Sequence, residues 1–297
     1  MSRPFGMGVR MTAREALAQA QAILAAAHVD TPRLDAQLLL MWTMKARRED
    51  LARDPERMLS ARETLIFTKA MQLRAQRRPL PYITGEQWFY GRPFKINRAV
   101  LIPRPETELL VQAALNAVAD VPFPRLADIG VGSGCIAVTL ACERPDAGIS
   151  ATDLSPDALK TARKNVVRHG VGEQVSLFQG DLLAPLSFQP PYHAVVSNPP
   201  YVTEEEVIRL QPEVRDYEPP LALSGAPGAT GPDGDTLHRR LLEDARAYLV
   251  PSGWALLEVG QGQAARVADF ARALGYNRVD VVDDLAGIGR VVRARWQ

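Results

Sequence analysis

The stretch "DIGVGSG", Asp128–Gly134, decides the fold of this 297-residue chain. It lies between "RLADIG", which reads as a short apolar strand, and "CIAVTLAC", which reads as a helix. Gly130, Gly132 and Gly134 allow the backbone to turn sharply there and allow a ligand to approach it closely. The spacing is GxGxG and not the GxGxxG of dinucleotide sites, so on its own it leaves a purely structural glycine turn open.

Strand and helix patterns alternate from about residue 105 to the end of the chain. The predicted strands include "GISATD", "QVSLFQGD", "HAVVSNPP" and "GWALLEVG", with helical segments such as "PDALKTARKNVVRHG" between them and two strands closing the chain. Alternation of this kind predicts a mostly parallel sheet with helices on both faces. We therefore expect a Rossmann-like α/β domain.

The first ~80 residues have helical patterns instead. Thr12–Glu15 ("TARE") and Ser60–Glu63 ("SARE") each have the sequence of a capping box, and Thr31 before Pro32 is a further candidate N-cap. We assign residues 1–80 to a small helical bundle, residues 81–104 to a linker with a β-hairpin around Gly91, and residues 105–297 to the sheet domain.

Composition indicates a globular protein without a membrane span. Hydrophobic residues make up 46% and charged residues 23% of the chain, and the N-terminal segment lacks the apolar core of a signal peptide. Cys135 and Cys142 are too close in sequence to staple a domain, and no metal-ligand spacing is present. We expect a cytoplasmic protein with reduced thiols and no bound metal.

The charge is unevenly distributed along the chain. Residues 1–85 carry 14 Lys and Arg against 8 Asp and Glu, whereas the chain as a whole has a net charge of +1. A basic front half fits an acidic protein surface or a partner bound to nucleic acid, but it also fits an ordinary solvated helix surface.

Acidic residues end the two strands after the glycine stretch. Asp153, in "SATDLS", lies 19 residues after Gly134, where a carboxylate can accept hydrogen bonds from both ribose hydroxyls of a nucleoside. Capping of the next helix is the alternative role, which Ser155 fits at least as well. In "GDLL", Asp181 is placed to bind an exocyclic amine and Leu182 to cover an adenine face.

The glycine stretch lacks the features of a phosphate site. There is no GxxxxGK[ST] and no lysine beside the glycines, which favours S-adenosylmethionine over NAD or ATP. Asp128 is expected to hold the loop or to meet a cationic group of the ligand.

The stretch "VSNPPYV", Val196–Val202, ends a buried strand in a rigid corner. The side-chain oxygen of Asn198 and the carbonyl of Pro199 can accept both N–H bonds of an amide or aromatic amine, leaving its lone pair free, and the two prolines fix these acceptors in place. Tyr201 offers a flat face to a planar substrate. The alternative is a proline-rich strand exit with a buried tyrosine.

These motifs, together with "IPRPETE" (Ile102–Glu108) and "DLAGIGRVV", resemble the HemK/PrmC family of peptide chain release factor N5-glutamine methyltransferases over nearly the whole chain. The resemblance implies a class I S-adenosylmethionine-dependent methyltransferase fold with a mostly parallel seven-stranded sheet. It also implies methylation of the glutamine of the Gly-Gly-Gln motif in class 1 release factors, which modulates translation termination. The helical bundle would then bind the release factor.

The resemblance also implies site residues. Asn198, Pro199, Pro200 and Tyr201 would hold the glutamine and form the catalytic corner. The cofactor, which becomes S-adenosyl-L-homocysteine, would be held by Asp128, Gly130, Val131, Gly132, Ser133, Gly134, Asp153, Leu154, Asp181, Leu182 and Asn198. Two positions depart from the family: Val131 stands where threonine is common, and Leu182 replaces an aromatic residue found in some relatives.

Some assignments stay open at this level. Pro103–Glu106 either form a wall beside cofactor and substrate or stiffen the linker through the prolines and an Arg–Glu pair. Asn-Pro-Pro-Tyr is shared with N6-adenine DNA methyltransferases, and a ribosomal-protein glutamine methyltransferase or a non-catalytic S-adenosylmethionine sensor are further alternatives. We expect no direct binding of nucleic acid, because the region that carries the site is acidic. We also expect a monomer.

Overall fold

The computed structural model describes residues 11–297, which form two compact units. One unit contains the described residues up to Gly85 together with Pro212–Tyr217, and the other contains Glu86–Gln211 and Glu218–Gln297. The sequence pattern places Pro212–Tyr217 in the sheet domain, whereas their contacts group them with the helices of the first unit.

The helices and strands follow in chain order. The helices are α1 (Ala13–Ala26), α2 (Pro32–Met44), α3 (Arg48–Arg53), α4 (Ala61–Ala75), α5 (Leu80–Thr84), α6 (Thr107–Ala117), α7 (Cys135–Glu143), α8 (Pro156–Arg168), α9 (Glu204–Val207), α10 (Pro212–Arg215), α11 (Pro220–Leu223), α12 (Thr236–Ala245) and α13 (Ala264–Ala273). The strands are β1 (Glu86–Phe89), β2 (Arg92–Lys95), β3 (Arg125–Ile129), β4 (Gly148–Asp153), β5 (Val175–Gln179), β6 (Tyr192–Ser197), β7 (Leu249–Glu258), β8 (Arg278–Asp283) and β9 (Gly289–Arg295).

Both predicted capping boxes begin helices of the first unit. Thr12–Glu15 start α1 and Ser60–Glu63 start α4, each with the reciprocal side-chain bonds of the motif. Thr31 occupies the N-cap position of α2, but its hydroxyl donates to the Asp35 carboxylate at 2.8 Å instead of accepting a backbone N–H. The predicted N-cap position is therefore correct, although the Thr31 side chain makes no capping hydrogen bond to the backbone.

The helical unit has its own apolar core. Side chains of α1, α2 and α4 meet there, and the fully buried members include Leu24, Leu39, Leu40, Phe67 and Met71. Because these residues recur at helical spacing, their burial explains why the amphipathic pattern of the sequence yields a bundle.

A short helix lies inside the predicted linker. Leu80–Thr84 form α5, with a proline in its first turn and Gly85 ending it at φ +77°. A proline in the first turn needs no N–H donor, and a glycine in the left-handed conformation is a common helix stop. The start of the predicted linker is therefore helical, and the predicted hairpin around Gly91 follows as β1 and β2.

A buried ion cluster attaches α10 to the helical unit. Arg74, 6% exposed, contacts Asp35 at 2.6 Å and Glu213 at 2.9 Å, and Arg77 contacts Glu213 at 2.6 Å. Burial raises the pKa of Glu213, but hydrogen bonds from Arg77 and Arg74 outweigh it and hold that pKa below its usual value. This cluster is the physical reason that Pro212–Tyr217 belong to the helices.

The second unit is built on a seven-stranded sheet with the order β5-β4-β3-β6-β7-β9-β8. The first five strands are parallel, and β9 pairs antiparallel with both β7 and β8, which confirms the predicted mostly parallel sheet. Ala127 and Ile129 pack in one apolar cluster with α12 and α13, while Leu126, whose side chain points to the opposite face, is also buried. Helices therefore cover both faces.

The strand order reverses between β3 and β6. Chain connections run from β3 outward through β4 to β5 on one side and from β6 to β7 on the other. Loops that leave the carboxyl ends of such neighbouring strands diverge and leave a crevice, which is the usual ligand site of an open parallel sheet. Residues 11–297 contain no helix that combines the length and the apolar character of a membrane span.

We expect Arg74→Ala to lower the free energy of unfolding of the helical unit by about 3–5 kcal/mol, because it leaves the buried Asp35 carboxylate without its cation and removes one of the two arginines that bind Glu213. The matched control is Arg14→Ala, whose ion pair with Glu56 is exposed and contributes at most about 1 kcal/mol. Native-state hydrogen exchange of α1, α2 and α4 measures both changes. An equal, small effect of the two substitutions would contradict the importance of the cluster.

Candidate functional site

The glycine loop follows β3 at the carboxyl edge of the sheet. Gly130, Gly132 and Gly134 have φ values of +78°, +52° and +83°, and the N–H groups of Gly130 and Val131 donate to the Thr152 carbonyl at 2.9 and 2.8 Å. A Cβ at Gly130 would have no protein atom within 4 Å, so the loop leaves open space at that position. This space allows a ligand to contact the backbone directly.

The last glycine has a packing role instead. A Cβ at Gly134 would lie 3.3 Å from the Cα of Ala162 on α8, which is tighter than ordinary contact. Gly134 therefore lets α7 begin close to α8, while Gly130 faces open space, so the glycines of one motif serve different purposes.

Asp153, at the end of β4, ties the glycine loop to the start of α8. Its carboxylate accepts hydrogen bonds from the N–H of Gly132 at 2.9 Å and from the N–H of Ser155 at 2.8 Å. Ser155 itself is the N-cap and accepts from Ala158 N–H at 3.2 Å, so the capping alternative belongs to Ser155. Burial raises the pKa of Asp153. Each carboxylate oxygen keeps a free lone pair for a further donor.

Asp128 lies beneath the loop and is fully buried. One oxygen accepts from Ala137 N–H in the first turn of α7 at 3.0 Å, and the other has no hydrogen-bond partner among the described residues. Burial raises the pKa of Asp128 to about 7. The predicted role of holding the loop fits the first contact, and the free oxygen remains available to a ligand donor.

Of the predicted site residues that follow β4 and β5, one lies at the sheet edge and two are exposed to solvent. The Leu182 carbonyl accepts from the Thr152 hydroxyl at 2.9 Å, and its side chain packs partly buried against the core. Asp181 is exposed and forms an ion pair with Arg240 at 2.9 Å, and Leu154 is also exposed. Leu182 therefore lies with the glycine loop, whereas the carboxylate of Asp181 is directed at Arg240.

The Asn-Pro-Pro-Tyr corner follows β6, the other strand of the crevice. Ser197, the last residue of β6, donates from its hydroxyl to the Ile129 carbonyl at the end of β3, at 2.6 Å. The Asn198 amide nitrogen donates to the Thr107 hydroxyl at 3.3 Å. Among the described residues, none donates to the Asn198 side-chain oxygen or to the Pro199 carbonyl. Both acceptors are therefore available.

Tyr201 is anchored behind the corner. Its carbonyl accepts from the Gln263 amide at 3.1 Å, and its ring centroid lies 6.5 Å from that of the buried His238. A Cβ at Gly234 would lie 2.3 Å from the Tyr201 carbonyl oxygen, so only glycine fits there. Burial, with the negative charge of Glu258, raises the pKa of Tyr201 to about 12, and the phenol stays neutral.

Arg104 has a different partner from the one that the sequence suggests. Its guanidinium binds Glu218 at 2.6 Å, and the predicted pair within Pro103–Glu106 is replaced by this longer-range contact. Glu218 is 3% exposed, and a buried carboxylate needs a cationic partner. Arg104 therefore pairs with Glu218 and not with a glutamate of its own segment. Burial raises the pKa of Glu218, while Arg104 lowers it.

Several residues of the site are not evident from the motifs. Asn165 on α8 is fully buried and donates to the carbonyls of Ser133 and Lys95 at 2.8 and 3.0 Å, which fixes the glycine loop. An asparagine at helical spacing with apolar residues is the pattern that indicates such a role. Glu258 is likewise the single charged residue at the end of an apolar strand.

The arrangement suits an uncharged nucleoside better than a phosphate. The hydrogen-bond partners of Gly130–Gly134 among residues 11–297 include neither lysine nor arginine. Carboxylates with free acceptor capacity, from the buried Asp128 and the partly buried Asp153, match hydroxyl and ammonium donors. The residues present therefore fit S-adenosylmethionine. The same residues contain no group of His, Cys, Asp and Glu that could hold a metal ion.

Two family models match the chain. Residues 15–85 match the PrmC N-terminal domain and residues 105–211 match the methyltransferase small domain. The chain is 41% identical over 285 residues to a release factor glutamine methyltransferase of Koribacter versatilis, covering 96% of this chain and 99% of that protein. It is 42% identical over 292 residues to one of Cereibacter sphaeroides, again covering 96% and 99%.

Solved structures share the fold at low sequence identity. A methyltransferase from Pyrococcus furiosus superposes with a TM-score of 0.51 at 16% identity, covering 75% of this chain and 98% of that chain. The human methyltransferase 10 domain containing protein superposes with a TM-score of 0.53 at 17% identity, covering 78% and 98%. These likenesses concern the fold alone.

Gly130→Ala should weaken the affinity for S-adenosylmethionine by about tenfold or more, which is about 1.4 kcal/mol, because the new methyl group occupies the open space over the loop. Gly170→Ala is the matched control: its φ is +70° and its Cβ also meets no atom within 4 Å. Both substitutions carry a similar backbone strain of about 1–2 kcal/mol. Titration calorimetry separates them, and equal affinities would show that Gly130 does not face the ligand.

Proposed function

The chain belongs to the family of release factor glutamine methyltransferases, and from this premise we propose that it methylates N5 of the glutamine in the Gly-Gly-Gln motif of class 1 release factors. The observation that carries the proposal is the open acceptor pair at Asn198 and Pro199, at the same sheet edge as the glycine loop. An enzyme that modifies a carboxamide needs acceptors for its two N–H bonds.

We propose that the edge formed by β3, β4 and β5 holds S-adenosyl-L-methionine. Asp153 would accept from the ribose hydroxyls, the free oxygen of Asp128 would accept a donor of the amino acid part, and Leu182 would cover the adenine. The further residues assigned to this site from the sequence are Gly130, Val131, Gly132, Ser133, Gly134, Leu154, Asp181 and Asn198, of which we propose that Asn198 serves the substrate amide and adds little to cofactor affinity. Of these, Asp181 and Leu154 are exposed and would contact the cofactor only at its rim.

The corner would orient the substrate amide. The Asn198 side-chain oxygen and the Pro199 carbonyl accept one N–H each, which turns the nitrogen lone pair toward the cofactor side of the crevice. Pro199 and Pro200 keep the acceptors in place because their φ angles are fixed. Tyr201, neutral and anchored through its carbonyl, supplies a flat wall.

When bound, S-adenosylmethionine supplies an electrophilic methyl group on a sulfonium centre. The protein's contribution is to align the amide and to exclude water, since an amide nitrogen is a weak nucleophile with a delocalised lone pair. The corner supplies neutral acceptors for this alignment, and the apolar strands β3, β6 and β7 lie beneath it. Preorganised acceptors of this kind need no rearrangement during the reaction.

We propose that the protein acts as a cytoplasmic monomer and that it binds no nucleic acid directly. We also propose that its helical bundle, assigned to residues 1–80 and joined by the linker 81–104 to the sheet domain, contacts the release factor. The support is the family membership and the basic excess of the front half against the acidic remainder. Elution at the monomer volume and absence of retention on heparin at moderate salt are expected. Retention would favour the N6-adenine alternative.

The direct test uses labelled methyl groups. The purified protein is incubated with methyl-labelled S-adenosylmethionine and a class 1 release factor, and the modified residue is mapped by mass spectrometry. We expect one label on the glutamine of Gly-Gly-Gln and none on a release factor with that glutamine replaced by alanine. Label on DNA, RNA or a ribosomal protein, or none on the release factor, would contradict the proposal.

Asn198→Ala should lower kcat by about 10²–10³-fold, by analogy with the loss of one preorganised hydrogen-bond partner in an active site. The affinity for S-adenosylmethionine should stay within about twofold of the native value, because the corner aligns substrate rather than cofactor. Asn116→Ala, an exposed asparagine on α6, is the matched control and should leave kcat unchanged. A large loss of cofactor affinity in Asn198→Ala would contradict the assigned role.

A further inference from the structure

We propose that Glu258 acts through Thr107 as a positioning residue that fixes the orientation of the Asn198 side-chain amide, so that its oxygen faces the crevice. This inference rests on the proposed function, since it concerns how the corner presents its acceptor to the substrate amide. Neither Glu258 nor Thr107 belongs to the glycine loop or to the Asn-Pro-Pro-Tyr corner.

The sheet brings the two strand ends together. β6 and β7 are parallel and adjacent, with Val196 opposite Leu256 and Ser197 opposite Leu257. Asn198 and Glu258 come next on each strand, and both lie at the carboxyl edge beside the crevice. Thr107, the first residue of α6, lies over this pair, and α6 contacts both β6 and β7.

Hydrogen bonds join the three side chains. The Asn198 amide nitrogen donates to the Thr107 hydroxyl oxygen at 3.3 Å. Hydrogen bonding from the Thr107 side chain also lowers the pKa of Glu258, which places the carboxylate beside that hydroxyl. Thr107 is 2% and Glu258 3% exposed, so water does not compete with these contacts. The second carboxylate oxygen of Glu258 has no hydrogen-bond partner among the described residues.

The available donors and acceptors fix which atom donates in each of these hydrogen bonds. An ionised carboxylate only accepts, so the single hydroxyl proton of Thr107 must point to Glu258. The Thr107 oxygen can then only accept from Asn198, which requires the NH2 end of that amide. The oxygen end of Asn198 is left facing the crevice, where it can accept an N–H of the substrate.

A neutral group at position 258 removes this direction. A protonated carboxyl or a glutamine can donate to Thr107, whose own proton is then free to bond the oxygen of Asn198. The amide would turn and present its NH2 group to the NH2 group of the substrate. Donor facing donor is repulsive, and the amide would lose its alignment.

The surroundings of Glu258 include groups that raise its pKa and groups that lower it. Burial is the largest effect and raises the pKa of Glu258 to about 7, with Glu106 acting in the same direction, while the bond from Thr107 and the cations Arg290 and Arg104 lower it. Neighbouring titratable groups also include Tyr201 and Cys135, which stay protonated, and His238, which contacts the Glu258 main-chain carbonyl.

The test compares Glu258→Gln, Thr107→Val and Thr107→Ser in the full-length protein. The first two should lower kcat by about tenfold or more, less than the loss of Asn198 itself, with unchanged affinity for S-adenosylmethionine. Thr107→Ser keeps the hydroxyl and should restore nearly native kcat. Glu143→Gln, an acid paired with Arg92 on the surface, and Thr139→Val, a buried threonine on α7, are controls that should leave kcat native.

The pH dependence provides a readout that a merely structural role would not give. The native kcat should fall as the pH drops below about 7, where Glu258 becomes protonated, and Glu258→Gln should lack this step. The pKa of Glu258 is higher in the folded state than in the unfolded state. The free energy of unfolding therefore decreases as the pH rises from the ordinary pKa of a glutamate to about 7. Glu258→Gln should therefore have a Tm at pH 8 equal to or above the native one.

A readout independent of activity is the contact of the Asn198 NH2 protons with the Thr107 methyl group, seen as a nuclear Overhauser effect in the native protein and weakened in Glu258→Gln. An active native protein whose Glu258→Gln and Thr107→Val variants keep native kcat and pH profile would overturn the positioning role alone. An unfolded Glu258→Gln would overturn it too, by showing that the residue serves the fold. A native protein without methyl transfer to the release factor would instead refute the proposed function.

Discussion

The parallel pairing of β3 with β6 is the constraint on which the rest of the structure depends. Because the two strands run side by side in the same direction, the glycine loop after one and the Asn-Pro-Pro-Tyr corner after the other leave the same edge. The hydrogen bond from Ser197 to the Ile129 carbonyl fixes the two strand ends to each other. On the proposed function, the donor and the acceptor of the methyl group would therefore meet at this edge, and no catalytic residue would have to reach across the domain.

The neighbouring strands extend the same edge. β4 adds Asp153 on one side of the pair and β7 adds Glu258 on the other. On the proposed function, the residues on one side of the pair would accept hydrogen bonds from a nucleoside, and those on the other side would orient an amide. The division follows from the reversal of strand order between β3 and β6, since connections on each side of it build a separate half of the crevice.

Much of this could be predicted from the sequence because the signals are local. Alternating apolar segments predict the sheet, capping boxes at Thr12 and Ser60 predict helix starts, and the glycines at 130–134 predict the turn. Contacts between residues distant in sequence could not be predicted in this way. Arg104 pairs with Glu218, and Glu213 joins the helical unit through Arg74, because burial selects the partner of a charge and no local pattern encodes it.

Two buried carboxylates lack a full set of hydrogen-bond partners, and their burial lowers the stability of the fold. Asp128 and Glu258 each keep one oxygen without a hydrogen-bond partner among the described residues, and burial raises the pKa of both to about 7. A raised pKa means that the ionised form opposes folding, so stability declines as the pH rises toward 7. An amide of the same shape would avoid that loss at either position. Both acids nevertheless flank the crevice, one under the glycine loop and one beside the corner, where an acceptor that cannot also donate fixes the direction of its hydrogen bonds.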